Sequence, residues 1–196
     1  ELDLSINPPF GDALLNAAEA GSEQTLSGST GVEGAGQTVS VVIAGITYTG
    51  TVDAQGNWSV SLPSAVLQSL PQGANSLSVT VADSAGNTST ATGNFTVDTV
   101  APQVSVEALT GDNRINAAES GELQTLSGSG EVGDRITVTL NGETYTTTVG
   151  GTGSWSIDLP ANALTALTNG SYPLQVTSTD TAGNSTTVTR TIEVDL

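Results

Sequence analysis

Apolar and polar residues alternate with a period of two along most of the chain, the spacing that puts every second side chain on one face of a β-strand. Leu77, Val79 and Val81 share one face of the stretch 76–81, and Leu174 and Val176 repeat that face later. Phe95 and Val97 do the same in 94–97, as do Ile192 and Val194 in 191–194. Turn-forming residues punctuate the alternation at Ala44-Gly45 and Asn141-Gly142, at 54–57 and 150–153, and at Ala85-Gly86-Asn87 and Ala182-Gly183-Asn184. The pattern predicts strands near 2–6, 24–29, 38–44, 46–52, 58–62, 74–82 and 88–97, and again near 103–108, 124–129, 135–140, 143–149, 155–159, 171–179 and 185–194. It breaks at Pro63 to Leu70 and Pro160 to Leu167, where a leading proline and i, i+3, i+4 apolar spacing predict one helical turn crossing between sheets. Asn16-Ala17-Ala18-Glu19 and its copy at 116–119 predict a second, loop-embedded turn with the asparagine as its cap.

The pattern is written twice. Gly11 to Gly21 returns as Gly111 to Gly121, a register of 100 residues, whereas Tyr48, Trp58, Asp83 and Asp98 return 97 residues later as Tyr145, Trp155, Asp180 and Asp195. One loop has therefore lost three residues between Gly28 and Val39 of the first copy. A period this long is a whole small domain rather than a solenoid unit, which spans about 20–50 residues. Seven short strands per copy is the pattern of an Ig-like β-sandwich. The expected architecture is all-β, two tandem Ig-like β-sandwich domains at 1–98 and 99–196, joined by a short rigid linker at about 98–102. Pro102 fixes its own φ and biases Ala101 towards an extended backbone, so a last strand is expected to run directly into the next first strand.

Composition then removes whole classes of chemistry. The 196 residues contain no cysteine and no histidine, which takes away disulfides, thiolate zinc sites and the commonest general base. The three basic residues are Arg114, Arg135 and Arg190, so there is no lysine for Schiff bases or for isopeptide cross-links. Twenty acids against three bases give a net charge of −17. Nucleic acid and anionic lipid are excluded as partners, because both are held by cationic side chains. So much like charge destabilises a compact state unless something neutralises it, and a hard divalent cation is the economical candidate. No stretch approaches the roughly 18 apolar residues of a membrane span, and residue 1 falls within a strand-like pattern, as expected of a piece of a longer chain.

Four motifs now carry a resemblance. Val97-Asp98-Thr99-Val100-Ala101-Pro102 at the junction, Gly-Asp-x3-Asn-Ala-Ala-Glu after the first strand, Gly-x-Trp-Ser before the fifth and Asp-x-Ala-Gly-Asn before the last recur across both copies. As a set they resemble the bacterial Ig-like repeats of giant type I-secreted adhesins from Gram-negative bacteria. That resemblance implies a long extracellular stalk at the bacterial cell surface, stiffened by Ca2+ at its domain junctions. It further implies neighbouring repeats of the same parent chain as partners, a monomeric segment, and a role in cell adhesion or biofilm formation by projecting a distal adhesive module.

Ig topology gives the repeated acids an address. Asp12 and Glu19, in the loop after the first strand, are expected beside Asp98 at the end of the last strand, with Asp112, Glu119 and Asp195 as their copies. Asp180 and Asn184 lie in the loop before the last strand, at the opposite pole, and are expected to face the first set across the junction; Asp83 and Asn87 are their counterparts. Calcium takes six to eight oxygen ligands at about 2.3–2.6 Å in flexible geometry, which such a set supplies with carbonyls and water; magnesium demands a tighter octahedron. The spacing matches neither an EF-hand nor the nonapeptide calcium repeat. Turn chemistry alone is the competing account of these positions, above all for the Asp/Asn pairs, because both residues bond their own backbone.

Trp58 and Trp155 offer a sugar platform on paper, but each shares an alternating apolar face with its strand neighbours and is expected in the core. The leading rival to a stalk is an Ig-like ligand-binding module, a lectin or receptor-binding tip. A recognition domain would carry an aromatic or long loop in one copy only, and the copy-specific segment, 30–37 against 130–134, has no aromatic residue. No acid pair sits in an indicated cleft, so no enzyme activity is expected.

Overall fold

The computed structural model describes residues 2–196, which divide into two compact units, 2–100 and 101–196. In the first, β1 (Ser5–Ile6), β3 (Gln24–Ser29) and β6 (Asn57–Leu62) form a three-stranded sheet in the order β1-β3-β6. A five-stranded sheet, β2-β8-β7-β4-β5, faces it, built from β2 (Leu14–Leu15), β4 (Thr38–Ile43), β5 (Ile46–Thr51), β7 (Gly73–Ala82) and β8 (Thr88–Val97). The inward residues of both sheets meet in one core containing Leu15, Leu26, Val41, Leu62, Val79 and Val97. The second unit repeats this design with β9 (Val104–Val106), β11 (Gln124–Gly130) and β14 (Ser154–Leu159) against β10 (Arg114–Asn116), β12 (Arg135–Leu140), β13 (Glu143–Thr148), β15 (Gly170–Thr179) and β16 (Ser185–Asp195). Each unit is an Ig-like sandwich, as the alternation predicts.

The expected single turns are present as α1 (Ala17–Ala20), α2 (Ser64–Leu67), α3 (Ala117–Ser120) and α4 (Ala161–Thr165). One feature differs from the sequence reading and another settles what it leaves open. The stretch expected to hold only a loop and the turn after the first strand contains an eighth strand, β2 or β10, which pairs parallel with the last strand. It is two or three residues long, too short to leave a periodic signal. The other feature is the sheet membership of the fourth strand, which alternation alone leaves open. Ala44 and Gly45 both take positive φ, at 51° and 75°, and Asn141 and Gly142 do so at 49° and 81°. Such a two-residue loop makes a tight hairpin and cannot cross the ~10 Å between sheets, so β5 and β13 stay beside β4 and β12.

The Gly-x-Trp-Ser motif is a packing unit. Trp58 and Trp155 are 2% and 3% exposed, and each indole N–H donates at 3.2 Å to a backbone carbonyl, Ser5 and Ser129 respectively. Gly28 lies against the Trp58 ring, and a Cβ there would stand 2.0 Å from the Ser5 carbonyl oxygen and 2.8 Å from the indole. Gly128 stands in the same relation to Ser105 and Trp155. The core role expected of both tryptophans is what the structure has.

Candidate metal-binding site

The acids after the first strand are placed by the extra strand. Thr96 N–H donates to the Ala13 carbonyl at 2.9 Å and Asp98 N–H to the Leu15 carbonyl at 3.0 Å, which lays the Gly-Asp-x3-Asn turn alongside the end of β8. In the second domain Asn116 and Asp195 are register partners of the same parallel pair. Asn16 and Glu19 form a reciprocal capping box: Glu19 N–H donates to Asn16 Oδ1 at 2.9 Å, and Asn16 N–H to Glu19 Oε2 at 3.0 Å. Asn116 and Glu119 repeat it at 3.0 Å both ways. The asparagines are therefore caps, as expected.

Asp12, Glu19, Asp112 and Glu119 each have a local task that engages one carboxylate oxygen. Asp12 Oδ1 accepts from Leu14 N–H at 2.9 Å, and Asp112 Oδ1 accepts from Arg114 N–H at 2.9 Å and from the Thr110 hydroxyl at 3.1 Å. Asp98 Oδ1 accepts from Val100 N–H at 3.3 Å. The loop that carries Asp12 is conformationally demanding, with Phe10 and Ala13 at φ 59° and 61°; Thr110 and Asn113 take the same conformations in the copy. Such residues cost on the order of 1–3 kcal/mol each unless their surroundings enforce them. Phe10 has such a reason, because its ring packs edge-on against Phe95 at 5.2 Å.

The Asp/Asn pairs are built differently. Asp83 Oδ1 accepts from Ala85 N–H and Asn87 N–H, each at 2.9 Å, while Oδ2 accepts from the Asn87 side-chain amide at 2.8 Å. Asp180 binds Asn184 in the same two ways, at 2.8 and 2.9 Å. The Asn87 side-chain amide, then its backbone N–H, hold the Asp83 carboxyl below its ordinary pKa. A third Asp-x-x-Gly-Asn turn, Asp53 to Asn57, connects β5 to β6 across the two sheets, with Gln55 and Asn57 N–H groups on Asp53 Oδ1 at 2.9 Å. Its spacing is visible in the sequence and marks the motif as a turn-closing device in its own right.

Within a single domain these groups sort to two ends. Asp12, Glu19 and Asp98 gather where β8 finishes, whereas Asp83 and Asn87 lie at the far end of the ten-residue β7–β8 hairpin, about 30 Å away at ~3.3 Å per residue. Among the described residues no three acidic side chains stand close enough to form a metal cage by themselves. The donor set is nonetheless all oxygen, and Asp12 and Glu19 keep their second carboxylate oxygens outside the loop's own bonding, which suits a hard cation completed by carbonyls and water.

Two residues that the sequence reading passed over belong to this end of each domain. Gln72, in the loop before β7, accepts from Thr99 N–H on Oε1 at 3.0 Å and donates from Nε2 to Thr99 Oγ1 at 2.6 Å. Asn169, 97 residues on, accepts from Leu196 N–H at 2.8 Å. The signal was an amide at the same offset in both copies.

The model of one family, described as the bacterial Ig-like domain, matches residues 21–99 and again 102–196. The chain belongs to the bacterial Ig-like domain family. Among solved structures it is similar to a Ca2+-stabilised adhesin that helps an Antarctic bacterium reach out and bind ice, at 40% identity and a TM-score of 0.57 over 97% of this chain and 48% of that one. It is also similar to a 1.5-MDa bacterial ice-binding adhesin studied for host cell surface retention, at 35% identity and a TM-score of 0.57 over all of this chain and 65% of that one. This bacterial Ig-like chain thus spans about half and about two thirds of the chains it matches. A likeness to the fibronectin(III)-like modules of Clostridium thermocellum CbhA, at 12% identity and a TM-score of 0.57 over 100% of this chain and 93% of that one, reflects the fold alone. No curated protein matches the chain.

Proposed function

We propose that this chain is a segment of the extender of a large cell-surface adhesin, a stalk whose repeats are stiffened by Ca2+ and which projects a distal adhesive module for cell adhesion or biofilm formation. The observation that carries the reading is the turn bearing Asp12 and Glu19, docked by parallel pairing onto the strand that ends in Asp98 and built again with Asp112, Glu119 and Asp195. It brings acidic residues to the end where each domain hands the chain on, and the likeness to a Ca2+-stabilised adhesin supports calcium as the ion. Asp180 and Asn184 contribute from the following repeat, as does the equivalent pair Asp83 and Asn87 towards a preceding one. Their carboxylates already serve the turn, so the ion shares oxygens with those hydrogen bonds rather than replacing them. The partners are neighbouring repeats of the parent chain, exported by type I secretion to the cell surface, and the role is mechanical rather than enzymatic.

The test is a comparison of Asp98→Ala with the parent in millimolar calcium and in chelator, by small-angle scattering. Calcium is expected to narrow the distance distribution of the parent, and the variant is expected to stay folded with a distribution like that of the chelated parent. A variant as narrowly distributed as the calcium-loaded parent overturns the clamp.

A further inference from the structure

We infer that Gln72 is a calcium-independent latch that holds the first linker residue as part of its own domain, so that chain exit is directed by a side-chain amide as well as by metal. The inference rests on the stalk reading for its purpose but not for its geometry. A linker of a few residues swings about every backbone torsion that nothing restrains. Beyond β8 the Asp98 N–H still bonds the Leu15 carbonyl, and the next residue, Thr99, is held by a side chain at two points: its N–H and its hydroxyl both bond the Gln72 amide, at 3.0 and 2.6 Å. Asp98 accepts from Val100 N–H at 3.3 Å and bends the following residue into the same turn. The pivot is thereby pushed out of 98–99 to the residues around Val100, next to Pro102, whose φ is already fixed.

The second domain repeats the device with a different residue. Asn169 replaces Gln72, and its Oδ1 accepts from the N–H of Leu196, the residue that follows Asp195 as Thr99 follows Asp98. An amide is well suited to this place. It offers an acceptor for the exit N–H without adding charge to a pole already crowded with carboxylates, where a glutamate would repel Asp98. Gln72 is exposed, so its removal is expected to leave the sandwich intact.

The experiment uses the full chain, whose lack of cysteine allows one spin label to be placed on each domain, and compares the parent, Gln72→Ala, Gln72→Asn and Asn169→Ala in calcium and in chelator. In chelator, Gln72→Ala is expected to broaden the inter-label distance distribution by about twofold and to speed amide exchange at Thr99 by about tenfold, with an unchanged melting temperature. Gln72→Asn is expected to keep part of the restraint. Asn169→Ala is expected to release the Leu196 amide and leave the distribution as it was. A Gln72→Ala chain whose distribution and Thr99 exchange in chelator equal those of the parent overturns the latch. The calcium clamp fails separately, if adding calcium to the parent changes nothing.

Discussion

At the scale of single residues, the acids of this chain divide by how many of their oxygens the local backbone has claimed. Asp12 and Glu19 give one oxygen to a turn or a cap, whereas Asp83 gives both to the loop it closes. The Asp83 carboxyl is held below its ordinary value of 3.8, first by the Asn87 side-chain amide. A carboxyl whose folded pKa is depressed stabilises the fold fully above its unfolded pKa, and that contribution is lost as pH falls through the folded value. The difference in stability between the parent and Asp83→Asn is therefore expected to be constant from neutral pH down to about 4 and to shrink below it. Denaturant titrations across that range check it, and a difference that grows on acidification contradicts the assignment. Among the described residues six take positive φ without being glycine, and four of them flank Asp12 and Asp112. No periodicity could have revealed this, because a left-handed residue leaves no mark on an apolar pattern.

At the scale of elements, turns decide topology where strands alone do not. The fourth strand reads as a strand in either sheet, and the hairpin at 44–45 assigns it. Copy one fills the first left-handed position with Ala44, where copy two has Asn141. Alanine pays a steric penalty there that glycine avoids and asparagine offsets. Ala44→Gly is accordingly expected to stabilise the first domain by about 0.5–1 kcal/mol, or roughly 2–6 °C in melting temperature, with no effect on the second. A calorimetric scan checks this, and a loss of stability would show that the loop is not the strained element it is taken for. The short parallel strand β2 illustrates the opposite case. Its two residues exist as a strand only because β8 lies beside them, and Asp98 reaches the Asn16–Glu19 cap through that pairing.

At the scale of the whole molecule, the charge of −17 and the proposed mechanical role make one argument. Like charges oppose compactness unless a cation neutralises them, so the proposed ion binding is expected to be linked to folding. Calcium at a hundredfold excess over its dissociation constant is expected to add about 2.7 kcal/mol to the stability of the folded chain relative to chelator. Thermal melts in both conditions measure the difference. Coincident curves, with no heat of binding by calorimetry, remove calcium from the account.

The sequence by itself determined the large-scale plan: two copies, seven of the eight strands in each, the single helical turns and the buried tryptophans. These follow from period-two alternation and from punctuation by Gly, Asn and Asp, which are local properties of the chain. It also placed the repeated acids in the right loops, because the loops inherit their places from the strands. What only the tertiary structure decided is which backbone groups meet across the chain. The parallel pairing beside Asp98 and the hold of Gln72 on Thr99 are of this kind. The last joins residues 27 apart in sequence through one side-chain amide. Such bonds are set by the docking of finished elements, where a single donor and acceptor suffice and no periodic pattern is required.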